Sequence, residues 1–215
     1  MRVLVTRPRE QSQPLVDELV SLGFEPIVVP LIAVEPLSDD PIDVDGYDCV
    51  VVTSPNGARE LARRMTASPR RLAAVGPGTA AALSDAGLTA DVVADVHTQE
   101  GLVDALGSPG RTLFVAAGGA RDRLADALGA DVLPAYRTVE LEVGSLPEVD
   151  VALLMSGSAA RSYARAGGRG PAISIGPQTT ATARGLGIDV VAEAGSHDVR
   201  GLVDSAAAWL ASSRS

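Results

Sequence analysis

The chain has 215 residues, 46% of them hydrophobic and 21% charged, which is globular composition and excludes a disordered or fibrous chain. Eighteen Lys+Arg against 27 Asp+Glu leave a formal charge of −9, and aromatics are only 3%, so neither a general polyanion binder nor a base-stacking platform is expected. A single Cys and two His exclude an internal disulfide and argue against a zinc site. There is no lysine, so every fixed positive side chain is an arginine, which suits bidentate binding of carboxylate or phosphate. The sequence opens without a secretory-leader pattern, and no apolar run reaches the roughly 18 residues needed to span a bilayer. The expected location is cytoplasmic.

In chain order, short β-branched runs predict strands at Val3-Leu4-Val5, Ile27-Val28-Val29, Cys49-Val50-Val51-Val52, Ala73-Ala74-Val75 and Val92-Val93. Leu113-Phe114-Val115, Val151-Ala152-Leu153-Leu154, Ile173-Ser174-Ile175 and Val190-Val191 predict four more. Between them lie Ala/Leu/Arg-rich stretches with helical spacing, marked by Leu15, Leu19, Leu22 and Leu83. Continuous apolar strands alternating with helices indicate an α/β fold with parallel sheets covered on both faces.

The chain also repeats itself. Gly76, Pro77, Thr79, Ala81 and Gly87 recur as Gly176, Pro177, Thr179, Ala181 and Gly187, an offset of 100, and Gly101-Leu102-Val103-Asp104 recurs as Gly201-Leu202-Val203-Asp204 at the same offset. Asp48, Ser54, Ala58, Arg59, Ala62 and Arg63 recur at offset 102 as Asp150, Ser156, Ala160, Arg161, Ala164 and Arg165. Arg2, Leu4, Leu15, Asp17 and Leu19 match Arg111, Leu113, Leu124, Asp126 and Leu128 at offset 109. Two similar α/β domains of about 100 residues follow. They could fold in tandem, or the first strands of one copy could complete the sheet of the other. Pro30–Pro36 and Pro134–Leu141 are extended segments that would serve as paired linker strands.

Several strand ends carry groups suited to binding. Gly76-Pro77-Gly78-Thr79 and Gly176-Pro177-Gln178-Thr179 each leave a strand and open a helix, whose free N–H groups favour an anion. Thr53-Ser54-Pro55-Asn56-Gly57 and its partner Ser156-Gly157-Ser158 offer hydroxyls for helix capping or for a ligand. Arg7, in Thr6-Arg7-Pro8 after the first strand, is placed either to meet an anion or to sit in solvent. His97 and His197 read as loop residues before a helix. Tyr136 is either a packing residue or a phenol able to donate a proton. No GxGxxG or phosphate-loop motif is present, nor a Ser-His-acid set.

Val5-Thr6-Arg7-Pro8, Thr53-Ser54-Pro55-Asn56-Gly57, Val75-Gly76-Pro77-Gly78-Thr79, Tyr136-Arg137-Thr138 and Ile175-Gly176-Pro177-Gln178-Thr179 together, and in this order, resemble the uroporphyrinogen-III synthase family. The resemblance implies two similar parallel-sheet α/β domains joined by a two-stranded linker ladder. On that pattern domain one is 1–33 plus 140–215, domain two is 37–136, and the linkers are about 34–36 and 137–139. It implies a hydro-lyase that closes hydroxymethylbilane, a linear tetrapyrrole with eight carboxylates, to uroporphyrinogen III with loss of water and inversion of ring D. It implies no metal or organic cofactor, no nucleic-acid or membrane partner, and a monomer. Tyr136 becomes the catalytic candidate, and Arg7, Thr53, Ser54, Gly76, Thr79, Ser156, Gly176 and Thr179 become candidates for holding substrate. The competing expectations are a non-catalytic two-domain small-anion-binding protein and a sugar-nucleotide transferase, the latter normally a much longer chain.

Overall fold

In the computed structural model, residues 1–119 and 123–213 are described. They form two compact units. The first is Met1–Ala33 with Thr138–Ser215, and the second is Val34–Arg137. Each is built on an open sheet of parallel strands with helices on both faces, and the second sheet carries one antiparallel strand at its edge.

The second unit is continuous in sequence. Its strands are β4 (Cys49–Val52), β5 (Leu72–Ala74), β6 (Val92–Val93), β7 (Thr112–Ala117) and β8 (Asp131–Glu140), with β3 (Ile32–Pro36) at the edge. The sheet order is β3-β8-β7-β4-β5-β6, and the pairs from β8 to β6 are parallel. The sequence Cys-Val-Val-Val of β4 has no polar side because neither face meets water. Val50 and Val52 pack on α2 (Pro55–Arg64) and α3 (Pro77–Asp85) through Ala58, Leu61, Ala82 and Leu83. Cys49 and Val51 share the opposite core with Leu102 and Leu106 of α4 (Gln99–Leu106) and Leu124 of α5 (Arg123–Leu128). Burial of the Cys49 thiol pushes its pKa up, which suits an inert core residue.

The first unit has β1 (Arg2–Val5), β2 (Glu25–Val28), β9 (Val151–Leu154), β10 (Ala172–Ser174) and β11 (Val190–Glu193) in the order β11-β10-β9-β1-β2, all parallel. One core holds Val3, Val5, Leu15, Leu19 and Leu202, contributed by β1, α1 (Gln13–Ser21) and α8 (Val199–Ser213). The other holds Leu4, Leu154, Ala160, Tyr163 and Ala183, from β1, β9, α6 (Gly157–Arg165) and α7 (Pro177–Gly185). Leu15 and Leu19 form the buried stripe of α1. Leu22 lies beyond its last turn and is 50% exposed, so the helical stripe stops one position earlier than the sequence spacing suggests.

The three repeat offsets become one in these sheets. The orders β6-β5-β4-β7-β8 and β11-β10-β9-β1-β2 are the same order, with β7-α5-β8 corresponding to β1-α1-β2. In the second unit that piece follows β4 through α4 along the chain. In the first it comes from the beginning of the chain, which is why its offset differs.

The recurring Asp and Arg at offsets 102 and 109 belong to this scaffold. Asp48 accepts the Arg111 backbone N–H at 3.0 Å, and Asp150 accepts that of Arg2 at 2.6 Å. Each aspartate's own N–H donates back to the arginine carbonyl, at 2.7 and 2.9 Å. The pairs tie β4 to β7 and β9 to β1 at the end of the sheet opposite the candidate site.

β3 and β8 run as neighbours. The Leu37 N–H donates to the Ala135 carbonyl at 3.0 Å and the Leu141 N–H to the Leu31 carbonyl at 2.9 Å, an antiparallel register. Arg137 holds Glu35 through two nitrogens at 3.0 and 2.8 Å, an exposed pair worth at most about 1 kcal/mol. Glu140 takes hydrogen bonds from Arg161 at 2.6 Å and Arg165 at 2.7 Å. Burial alone would raise its pKa, but the two guanidinium groups outweigh it and hold the carboxyl below its usual value. Among the described residues, no helix is long and apolar enough to cross a membrane.

Candidate functional site

In an open parallel sheet, loops leave the carboxyl ends of adjacent strands in opposite directions where the strand order reverses, and a crevice opens there. The orders above reverse between β4 and β7 in the second unit and between β9 and β1 in the first.

In the second unit β4 releases Thr53 and Ser54. Ser54 is the extended N-cap of α2, with Pro55 in the first turn, and its Oγ accepts the Gly57 N–H at 3.0 Å. Tyr136 on β8 stands opposite Ala117, the last residue of β7, at the same rim. Tyr136 is 93% buried, in the core beneath α2 and α3, and its Oη lies 2.7 Å from Ser54 Oγ. The backbone is held as well, since the Gly118 N–H donates to the Tyr136 carbonyl at 2.7 Å. Burial raises the phenol's pKa above 10 and the hydrogen bond with Ser54 partly opposes it, so the phenol is fully protonated at neutral pH.

Gly57 makes this approach possible. A Cβ there would lie 3.1 Å from the Val115 carbonyl oxygen, 3.3 Å from Ser54 Oγ and 3.8 Å from the Tyr136 ring. One strand further out, Gly76 turns the chain from β5 into α3, and Thr79 is buried in the first helical turn with its N–H on the Gly76 carbonyl at 3.1 Å.

The first unit has its own rim. Thr6 Oγ1 donates to the Leu153 carbonyl at 2.7 Å, stitching β1 to β9 where the order reverses. Arg7 follows, half-buried. Ser156 caps α6 by accepting the Ala159 N–H at 3.1 Å, and Ser158 takes a hydrogen bond from Arg161 at 2.9 Å. Gly176 opens α7, with Thr179 buried in its first turn. Ser174, Thr180 and Glu193 form a hydrogen-bonded chain beneath that turn. At offset 100 the second unit has Ala74, Ala80 and Val93 instead, so this polar network exists in one copy only.

A family model described as uroporphyrinogen-III synthase HemD matches residues 13–204. The chain belongs to the uroporphyrinogen-III synthase family. A putative uroporphyrinogen-III synthase of Methanocaldococcus jannaschii is 29% identical over 153 residues, covering 66% of this chain and 64% of that protein. A porphyrin biosynthesis protein HemD of Ruminiclostridium josui is 29% identical over 161 residues, covering 64% of this chain and 32% of that one. The chain thus spans less than two thirds of the curated relatives it matches. In fold, it is similar to a mutant uroporphyrinogen III synthase from Thermus thermophilus, with a TM-score of 0.57, 19% identity, and coverage of 95% of this chain and 96% of that one.

Within this family member the sequence-predicted residues fall into two groups by unit. Tyr136 and Ser54 are in direct hydrogen-bond contact, Thr53 adjoins them, and Gly76 and Thr79 occupy the next strand exit. Arg7 and Ser156 leave neighbouring strands β1 and β9, and Gly176 and Thr179 leave β10 beside β9. Among the described residues, no cluster of three or more His, Cys, Asp or Glu is placed to hold a metal ion.

His97 and His197 lie in the loops before α4 and α8, as the sequence predicts. What the sequence does not show is that each imidazole also lies over the glycine at the neighbouring strand exit. A Cβ at Gly76 would meet His97 Cγ at 3.1 Å, and one at Gly176 would meet His197 Cδ2 at 2.9 Å and Nε2 at 3.0 Å. The backbones there are extended, with φ of −179° and 169°, so the glycines serve ring packing and not an unusual conformation. The available signal was the recurrence of His97 at offset 100. For Gly57 it was a glycine inside a helix, which costs about 1 kcal/mol relative to Ala unless packing requires it.

A double-variant experiment tests this packing. Gly176→Val is expected to cost about 1–2 kcal/mol through overpacking against His197. Adding His197→Ala should recover most of that cost, because removing the ring removes the clash. Chemical denaturation of the two single variants and the double variant measures the coupling, and additive costs would dismiss it.

Proposed function

We propose that this chain closes hydroxymethylbilane to uroporphyrinogen III, inverting ring D and releasing water, with Tyr136 as the proton donor. Family membership across residues 13–204 is the observation that carries the reaction. The Tyr136 hydroxyl, held at 2.7 Å from Ser54 at the strand exits, supports the assignment of its role.

The pyrrole of ring A pushes out the terminal hydroxyl. The C–O bond breaks with its electron pair on oxygen, Tyr136 supplies a proton, water leaves, and the nitrogen lone pair completes an azafulvenium. Ring D attacks through its already substituted carbon, giving a spiro intermediate that fragments and recloses. The pyrrole carbon that gains the last C–C bond releases its hydrogen as a proton, which restores the phenol. The intrinsic reactivity of the pyrroles means that the protein's main work is to hold one conformation and exclude water.

A substrate with eight carboxylates must be held by a chain of formal charge −9, so the favourable field has to be local. The helix starts after β4, β5, β9 and β10 all lie at the strand-exit rims, and their N–H groups favour carboxylates. Arg7, Thr53, Thr79, Ser156 and Thr179 add polar side chains there, with Gly76 and Gly176 contributing backbone. This reading places the enzyme in the cytoplasm, as a monomer that needs no cofactor and no nucleic-acid or membrane partner.

The test supplies hydroxymethylbilane, oxidises the products and separates isomers I and III by chromatography. Isomer III is expected. Isomer I alone, at the spontaneous rate, would overturn the synthase reading and leave a non-catalytic anion-binding protein in its place.

A further inference from the structure

Resting on the reading of Tyr136 as proton donor, we infer that Ser54 is a positioning residue whose hydroxyl donates to Tyr136 Oη and so leaves the phenol's own proton free for the departing hydroxyl. A serine hydroxyl has one proton and two acceptor positions. One acceptor position of Ser54 Oγ is taken by the Gly57 N–H at 3.0 Å. The remaining partner among the described residues is Tyr136 Oη at 2.7 Å, where either atom has the geometry to donate. If Tyr136 donated, Ser54 Oγ would accept twice and its proton would have no acceptor among the described residues, while the phenol's proton would be committed to Ser54. If Ser54 donates, Gly57 N–H, Ser54 O–H and Tyr136 O–H line up in one direction. Each bond then polarises the next, and the last proton is available.

The same arrangement serves the product of the step. When Tyr136 gives its proton to the leaving oxygen, the resulting phenolate already has the Ser54 proton directed at it, at the N-terminal end of α2, where negative charge is favoured. Ser54 transfers nothing. It donates one hydrogen bond, which strengthens as charge develops on Oη, so its effect belongs to the transition state. The first unit isolates this from capping. Ser156 caps α6 as Ser54 caps α2, yet the tyrosines are Tyr47, Tyr136 and Tyr163, and none lies on β1 or β2.

The test uses Ser54→Gly, Ser54→Ala and Ser54→Thr in the full chain. Glycine is a tolerated N-cap, so Ser54→Gly removes the hydroxyl and keeps the helix start even where alanine disturbs folding. Turnover to isomer III is expected to fall about 10- to 100-fold in Ser54→Gly, the range for a hydrogen bond to a charged group, with KM nearly unchanged. Ser54→Thr should return to within a few-fold of the parent. Ultraviolet titration should place the Tyr136 ionisation at higher pH in Ser54→Gly than in the parent, because the bond that favours the phenolate is gone. Adding Ser54→Gly to Tyr136→Phe should lower turnover no further. Parental turnover in Ser54→Gly, or an equal loss when Ser54→Gly is added to Tyr136→Phe, overturns the positioning role. Parental turnover in Tyr136→Phe instead overturns the reading of Tyr136 itself, so the two failures are distinguishable.

Discussion

Replacing Tyr136 by phenylalanine is expected to lower turnover about 10- to 1000-fold, the range for one general acid. On the proposed reading the residual product should remain isomer III, because this hydroxyl serves the departure of water and not the choice of ring carbon. Product binding should change little, because the lost interaction is made mainly in the transition state. Folding should survive. The ring stays in its core, and Ser54 keeps the Gly57 N–H as a capping donor. Because burial raises the folded-state pKa above 10, the phenol is protonated in both states below pH 10. Above that the unfolded chain ionises first, so its stabilising contribution is lost as pH rises from 10 through the folded value. Tyr136→Phe should flatten that part of the stability profile. Tyr163→Phe, on α6 with its ring packed on Gly168, is the control and should turn over at the parental rate. A normally folded Tyr136→Phe that also does so would make Tyr136 a packing residue, and the proton would then have to come from bound water or substrate.

The largest stability effects are expected at the glycines of the recurring Gly-Leu-Val-Asp segment. A Cβ at Gly101 would lie 2.1 Å from the Val96 carbonyl oxygen, and one at Gly201 would lie 2.1 Å from that of Ser196. In both copies the loop entering α4 or α8 folds its carbonyl onto the first helical turn. Backbone, not a flexible side-chain tip, would have to move. Gly201→Ala should therefore cost about 3 kcal/mol, at the upper end for overpacking. For a chain of this size that lowers Tm by roughly 6–12 °C. Gly185→Ala, at the end of α7 with open space around it, is the comparison and should be neutral or stabilise by about 0.5–1 kcal/mol. Calorimetry on both variants decides it. Equal melting temperatures would mean that the loop carbonyl yields freely.

The amino-acid sequence by itself determined the fold class and the positions of the strands. A segment such as Cys49–Val52 has no polar face, and that pattern is stable only in a sheet covered on both sides. It also determined the repeat and, through an ordered set of short motifs, the family. Those features are local, and each is carried by residues within a few positions of one another. What only the tertiary structure decided involves residues far apart. That offsets 100, 102 and 109 describe one repeat follows from β1 pairing with β9, a contact across about 150 residues of chain. That Asp48 and Asp150 clamp backbone, and that His97 and His197 lie over glycines, follows from segments distant in sequence meeting at the ends of adjacent strands. Ser54 reads as a helix cap or a ligand-binding hydroxyl until Tyr136, 82 residues later, is packed against it with Gly57 leaving room. Periodicity reports which side of an element is buried. It does not report which distant side chain fills the space opposite, because that depends on how the sheet orders its strands.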